Sequence, residues 1–237
     1  MFKKKPILRM ITFLGVGMLL MLGVGLLFNG DKPVFKSSIT PIDKIQTDKK
    51  VVAIACNVYE GEDLLPSMLE TLKKHDTKIS FFIGGVWGKK NIEMIKQMKD
   101  SGHDIQNHGY YHKKPTQLSL EDNIKEINLT HDLLKSELGI ETTIFEPPYG
   151  DFDEYTQKIV NQANHKLVTF NIDTIDWRDD ASTDIILKRV NKKLNPGGII
   201  LMHPKEITEK SLDSIISYIK SQGYEIITVN EILNITE

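Results

Sequence analysis

Val51-Val52-Ala53-Ile54-Ala55-Cys56-Asn57-Val58-Tyr59 opens the part of the chain whose pattern decides its class. Residues 51–56 are continuously apolar, with no polar alternate, which predicts a strand buried on both faces, as in a parallel sheet. Working outward, Leu64, Leu65, Met68, Leu69 and Leu72 recur at helical spacing, and residues 79–83 form a second apolar run. A helix carrying Ile92, Ile95 and Met98 follows, then a short run at 103–106. Ser119 is placed to cap a long helix with Ile124, Ile127, Leu134 and Leu138 on its apolar face. Residues 142–145 and 166–170 read as strands on either side of a helix around Ile159 and Val160. Thr183 is the expected cap of a helix through Ile186, Leu187 and Val190. Residues 198–202 are the most apolar late run, a helix with Leu212, Ile215, Ile216 and Ile219 comes next, and residues 225–229 close the series. About seven β/α repeats predict an α/β domain over residues 50–237, a distorted (β/α)7-type barrel with helices outside. No Gly-rich loop follows the first strand, which argues against an open dinucleotide-binding sheet.

The N-terminal part is of another kind. Lys3, Lys4, Lys5 and Arg9 precede an uncharged run over residues 10–28 whose members, apart from Thr12 and four glycines, are hydrophobic. As a helix it spans roughly 28 Å, close to the ~30 Å hydrocarbon core of a bilayer. The basic flank predicts a cytoplasmic segment 1–9, a transmembrane anchor 10–28, and an extracytoplasmic remainder of a single-pass cell-membrane protein. Leu26-Leu27-Phe28-Asn29-Gly30 lacks the small-residue pattern of a signal-peptide cleavage site. Residues 29–49, with Pro33, Pro41, Ser37 and Ser38, read as an extracytoplasmic stalk. The formal charge of −2 gives no basic footprint for a nucleic acid, and the single Cys56 excludes an intramolecular disulfide. Nothing in the sequence sets the oligomeric state.

In a β/α barrel the chemistry sits where strands end. Four strand ends carry polar residues. Asn107-His108-Gly109-Tyr110-Tyr111-His112 holds two imidazoles four residues apart, able to share one cation if the turn is helical. Phe145-Glu146-Pro147-Pro148-Tyr149-Gly150 ends another strand in a rigid turn. Asp173-Thr174-Ile175-Asp176-Trp177 puts two carboxylates beside an indole. Leu201-Met202-His203-Pro204 brings a histidine out of the most hydrophobic late strand, a candidate general acid.

Taken in order, His108-x-x-x-His112, Pro147-Pro148-Tyr149-Gly150, Asp173-x-x-Asp176-Trp177 and Leu201-x-His203 resemble the motifs of the NodB-homology polysaccharide deacetylases, carbohydrate esterase family 4. Asn57-Val58-x-x-Gly61-x-Asp63-x-x-Pro66 is similar to a subgroup from endospore-forming bacteria, which implies sporulation or the cell envelope as the setting. The resemblance implies metal-dependent hydrolysis of N-acetyl groups on an envelope glycan, either peptidoglycan or a chitin-like N-acetylglucosamine polymer. It implies His108 and His112 as metal ligands, His203 as the acid, Asp176 as its orienting partner, and Tyr149 as the source of an oxyanion-binding N–H. It also implies Trp177, Leu201, Pro148 and Asp173 as the substrate wall.

The first motif departs from the family pattern. Asn57 stands where the family has its catalytic Asp, Val58 where it has its metal-binding Asp, and Glu146 where an Arg orients the base. An amide is no usable base and Val58 has no donor atom. Glu60, Glu62 and Asp63 follow within one loop, and Asp63, at the start of a helix, is expected to supply the missing carboxylate; Glu146 is a second candidate base. An ion held mainly by imidazoles favours Zn²⁺ over Mg²⁺ or Ca²⁺. The alternative reading is a catalytically impaired relative that binds glycan, or an envelope or sporulation partner, without turnover.

Overall fold

The structure is a computed structural model that describes residues 41–235. The expected anchor and its basic flank, residues 1–28, lie outside the described residues, as does most of the expected stalk. Among the described residues no helix is long and apolar enough to cross a membrane.

The central strand β1 (Val51–Val58) is buried along all eight residues. It is joined in parallel by β2 (Ser80–Ile83), β3 (Asp104–Asn107), β4 (Ile144–Phe145) and β5 (Lys166–Leu167) on one side. On the other side lie β7 (Gly198–Met202) and then β6 (Ile172–Asp173). β8 (Glu225–Ile227) pairs with Val51–Ala53 of β1, while β2 pairs with Ala55–Val58. β7 runs along Val52–Cys56, so β8 and β2 must share the opposite edge of β1, one behind the other. The long helices are α1 (Leu65–Lys74), α3 (Ile92–Asp100), α4 (Leu120–Leu138), α5 (Glu154–Gln162), α6 (Thr183–Lys193) and α7 (Glu206–Ser221). Two short ones, α2 (Gly85–Lys90) and α8 (Val229–Ile232), were not foreseen, nor was β6.

The pleat of β1 divides the core. Val52, Ile54, Cys56 and Val58 belong to the larger cluster, shared with α1, α3, α6 and α7. Val51, Ala53 and Ala55 belong to a second cluster with Phe82, Ile144, Val168 and Ile199, inside the curl of the sheet. Small residues at 53 and 55 fit the concave side, where side chains of several strands converge. Cys56 is fully buried, and burial pushes its thiol pKa well up, so it serves as a small apolar filler.

Two expectations are corrected. β5 and β6 are the two ends of the sheet and do not pair, so the expected barrel is a curled parallel half-barrel. The domain also starts before Lys50: Ile42 and Ile45, assigned to the stalk, pack on the inner cluster. The Ile42 N–H donates to the Leu167 carbonyl (3.1 Å), Thr169 N–H donates to Ile42 (2.9 Å), and Ile45 N–H donates to Gly197 (2.9 Å). This segment thus crosses from the β5 side to the β7 side of the open seam. Two-residue edge strands cannot close a barrel, and the strap satisfies backbone groups they leave free. Capping follows the same local logic. Ser119 caps α4 as expected, whereas α6 is capped by Ser182, one residue before the expected Thr183, whose hydroxyl pairs with Ser211 (2.8 Å).

Gly197 fixes the strap. Its φ is +76°, and a Cβ there would lie 1.9 Å from the Ile45 carbonyl oxygen. Gly197→Ala should therefore destabilise the protein by about 2–4 kcal/mol, through a strained backbone and a displaced strap. Thermal or denaturant unfolding checks this; a loss below about 0.5 kcal/mol would mean that the strap is not held there.

Candidate active site

The strand ends converge on one cleft of about 340 Å³, walled by Asn57, Tyr59, His108, His112, Glu146, Tyr149, Asp173, Trp177, Leu201 and His203, among others. Asn57 continues the inward-facing row of β1, after Ala53 and Ala55. His108 follows β3, Glu146 follows β4, Asp173 ends β6 and His203 follows β7. His108 and His203 therefore open onto the same face.

The acid side is complete. The Asp176 carboxylate is buried and accepts three hydrogen bonds: from His203 N–H (2.7 Å), from the Thr208 hydroxyl (2.7 Å) and from His203 Nδ1 (2.8 Å). With Nδ1–H committed to the carboxylate, Nε2 is the ring nitrogen left to exchange a proton. Thr208, five residues beyond His203 in α7, had no sequence signal. Asp173 lines the cleft with its carboxyl pKa raised, chiefly by burial; its Oδ1 accepts the Ile175 N–H (2.7 Å).

The opposite side is rebuilt. Asn57 Nδ2 donates to Glu146 Oε2 at 2.5 Å, and both side chains are buried. The same Oε2 lies 2.9 Å from His108 Nδ1, which is also 2.8 Å from the Glu146 carbonyl oxygen. A carbonyl oxygen only accepts, so Nδ1 carries the hydrogen and the lone pair of His108 is on Nε2. Asn57 Oδ1 and Glu146 Oε1 are left buried without partners.

His112 lies across from His108, ring centroids 5.0 Å apart, stacked on Tyr59 at 3.9 Å and against Tyr149 at 4.7 Å. Burial first, then the neighbouring His108 and His203, push its pKa down to about 3, so it is neutral. Tyr59 was not foreseen; its only sequence signal is its place just past the first strand. Burial, reinforced by Glu60, raises its phenol to about 12. Tyr149 has φ +64° in a tight turn, exposing its ring at the rim. Trp177 is 56% exposed at the cleft mouth, and Leu201 lies deep in the wall. Pro148, expected in the substrate wall, is buried outside the lining, beneath that turn.

The acidic loop does not reach the histidines. Gly61 has φ +83° and sits so close to Pro204 that a Cβ would lie 2.3 Å from its carbonyl oxygen. That contact pins the loop against the end of β7 and turns its carboxylates outward. Glu60 pairs with Lys205, Glu62 accepts from Trp87 Nε1 (3.2 Å), and Asp63 is exposed and outside the lining. The expectation that Asp63 completes a ligand set is thus not met.

The donor set for a metal is one short. His108 Nε2 and a neutral His112 are suitable ligands, but Val58 packs in the helix-facing core. Glu146 lies on the Nδ1 edge of His108, the edge away from its free lone pair. Among the described residues no three His, Cys, Asp or Glu side chains gather as a metal site. The residues present do not fit a three-ligand centre.

A profile of the family described as polysaccharide deacetylase matches residues 44–168, more than half of the chain. The chain belongs to that family. It is similar to the uncharacterised protein YlxY of Bacillus subtilis, 34% identical over 83% of this chain and 61% of that one. It is also similar to the peptidoglycan-N-acetylglucosamine deacetylase PgdA of Listeria monocytogenes, 28% identical over 82% of this chain and 41% of that one. The chain thus spans from two fifths to three fifths of these relatives. Among solved structures, BA3943 of Bacillus anthracis, described as a pseudoenzyme of carbohydrate esterase family 4, superposes with a TM-score of 0.79. It is 34% identical, over 83% of this chain and 70% of that one. A mutant of it, described as having restored enzymatic activity, superposes equally well. Family members are generally metal-dependent, and the described residues of this chain lack a third ligand.

The three bonds on Asp176 make a prediction. Asp176→Asn replaces one acceptor by a donor that must face the backbone N–H of His203 and Thr208, or else His203 Nδ1. The substitution should cost about 1–3 kcal/mol of stability. Thr208→Ala, which removes a donor and leaves two bonds, should cost less. Unfolding curves of both variants test the order.

Proposed function

We propose that the protein binds an N-acetylated envelope glycan in this cleft, with the acetamide between His112 and Trp177, and that its hydrolytic machinery is half dismantled. The Asn57–Glu146 hydrogen bond carries this reading. It occupies the position at which a deacetylase of this family needs a carboxylate to take a proton from water, and it supplies an amide instead. The acid arm, Asp176 and His203, remains fit to protonate a leaving amine. The aromatic wall of Tyr59, Tyr149 and Trp177 offers flat apolar faces to sugar rings. The N-terminal sequence supports an extracytoplasmic domain tethered to the cell membrane, where such glycans lie.

The test measures amine release from peptidoglycan and from N-acetylglucosamine oligomers with added Zn²⁺, beside direct binding of the same oligomers. The parent should bind them, yet release amine at least about 100-fold more slowly than Asn57→Asp/Val58→Asp/Glu146→Arg, the usual scale of a lost general base. Val58 packs in the core, so Asn57→Asp/Glu146→Arg is run alongside to separate misfolding from failed repair. Absence of oligomer binding by the parent would overturn the proposal.

A second reading is favoured by the unpartnered Glu146 Oε1. Here Glu146 has taken over as the base, and the chain is an active N-deacetylase. That reading requires parent turnover that Glu146→Gln abolishes while oligomer binding persists.

A further inference from the structure

Among the described residues three buried side-chain atoms have no hydrogen-bond partner. Two of them, Asn57 Oδ1 and Glu146 Oε1, belong to side chains already bonded to each other. Both residues line the cleft, and they are only 3% and 1% exposed. The third, Gln157 Oε1, lies on α5 and is not part of the lining. An amide oxygen and a carboxylate oxygen only accept, so what this end of the cleft lacks is a donor. Asn57 cannot relieve the shortage by turning its amide over, because Oδ1 would then face the Glu146 carboxylate. Acceptors left unmet at this depth are costly, which points to a guest that brings N–H groups.

The charge balance narrows the kind of donor. Glu146 and Asp173 line the cleft, and among the described residues no lysine or arginine does. Lys205, two residues past His203, is paired with Glu60. Lys113 and Lys114 line a neighbouring cavity, with the Lys114 ammonium 5.4 Å from the Tyr149 ring centroid. His108 adds a further acceptor, since its Nδ1 hydrogen is committed to Glu146 and its lone pair is on Nε2. The rings of Tyr59, Tyr149, Phe170 and Trp177 complete the wall, and aromatic faces attract cations. A neutral donor would satisfy the two oxygens and leave the carboxylates without a counter-charge. A charged donor does both, and charge-assisted hydrogen bonds are the stronger kind. An acetamide suits these oxygens poorly, because it brings one N–H together with a carbonyl that also only accepts. A primary ammonium brings three N–H groups, a positive charge and no acceptor.

We propose that the Asn57–Glu146 pair forms an ammonium seat, and that the sugar held most tightly in the cleft is one whose N-acetyl group has already been removed. This rests on the glycan-binding reading above and goes beyond it: a glycan that carries both kinds of sugar is bound at the one bearing the free amine. The reaction class that must supply this ligand is an N-deacetylation carried out by another protein. The cleft is then built to recognise the product of its family's reaction.

The experiment is calorimetric binding to the intact protein, with a chelator present, at a slightly acidic pH that keeps the sugar amine protonated. The probes are an N-acetylglucosamine tetramer, the same tetramer with one inner sugar de-N-acetylated, and that second tetramer with its amine trimethylated, which keeps the charge and removes every N–H. The parent should bind the free-amine tetramer about 10-fold more tightly than either of the others, the scale of a charge-assisted hydrogen bond. Glu146→Gln should bring the free-amine and N-acetylated tetramers to within about twofold of each other. Asp173→Asn, at a carboxylate whose Oδ1 already accepts the Ile175 N–H, should keep most of the preference. The comparison among the probes needs no variant, so it decides the matter even where a variant fails to fold. Equal affinity of the parent for the free-amine tetramer and either of the others overturns the ammonium seat and leaves the glycan cleft standing. So does a preference that appears only when Zn²⁺ replaces the chelator, or one lost equally in both variants. Binding of the free-amine tetramer alone keeps the seat and overturns the acetamide reading. Failure to bind all three probes overturns both.

Discussion

Each neighbour of β1 takes its register from that strand, and a pleated strand has only two faces. Residues 52, 54, 56 and 58 face the helix layer, and residues 51, 53 and 55 face the hollow of the curl, a row that Asn57 continues into the cleft. This parity is not negotiable locally. A slip of one residue would carry an alternating set of fully buried side chains to the wrong layer. The chemistry of the first strand end is therefore bound to the packing of the domain. Asn57 belongs to the cleft, while Val58 belongs to the core with Met202, Leu65 and the helices.

From that constraint the site divides into two halves with separate supports. The acid half rests on a carboxylate that takes three donors from one short stretch, His203 to Thr208, so the ring is oriented by its own loop and the start of α7. The other half depends on long-range pairing: Asn57, His108 and Glu146 come from three strands and meet through a single carboxylate oxygen. A change of charge type at position 146 alters the partners of both other residues at once. Asn57 turns its amide donor toward Glu146, His108 turns its Nδ1–H the same way, and two acceptor oxygens are left without donors. Such orphans are costly in a buried setting, so this cluster is not arranged for stability alone.

The surroundings of the cleft show how close packing redirects sequence neighbours. Asp63 lies six residues from Asn57 and is well within contour reach of the histidines, yet the contact between Gly61 and Pro204 turns the loop outward.

The sequence by itself determined the order of the long helices and of every strand but β6, the burial of β1 on both faces, and the convergence of four polar strand ends. These follow from local apolar periodicity and from motifs that each lie within a few residues. The residues 10–28 can be judged by that periodicity alone. Tertiary structure decided that the sheet stays open, with the strap at Ile42 and Ile45 across its seam. It also decided that Ser182 rather than Thr183 caps α6, that Pro148 lies under the wall, and that Asp63 points to solvent. Those outcomes depend on edge strands too short to pair, on backbone contacts at Gly61 and Gly197, and on which face of a strand a residue occupies. No window of neighbouring residues encodes them, because the atoms that decide each one come from elements far apart in the chain.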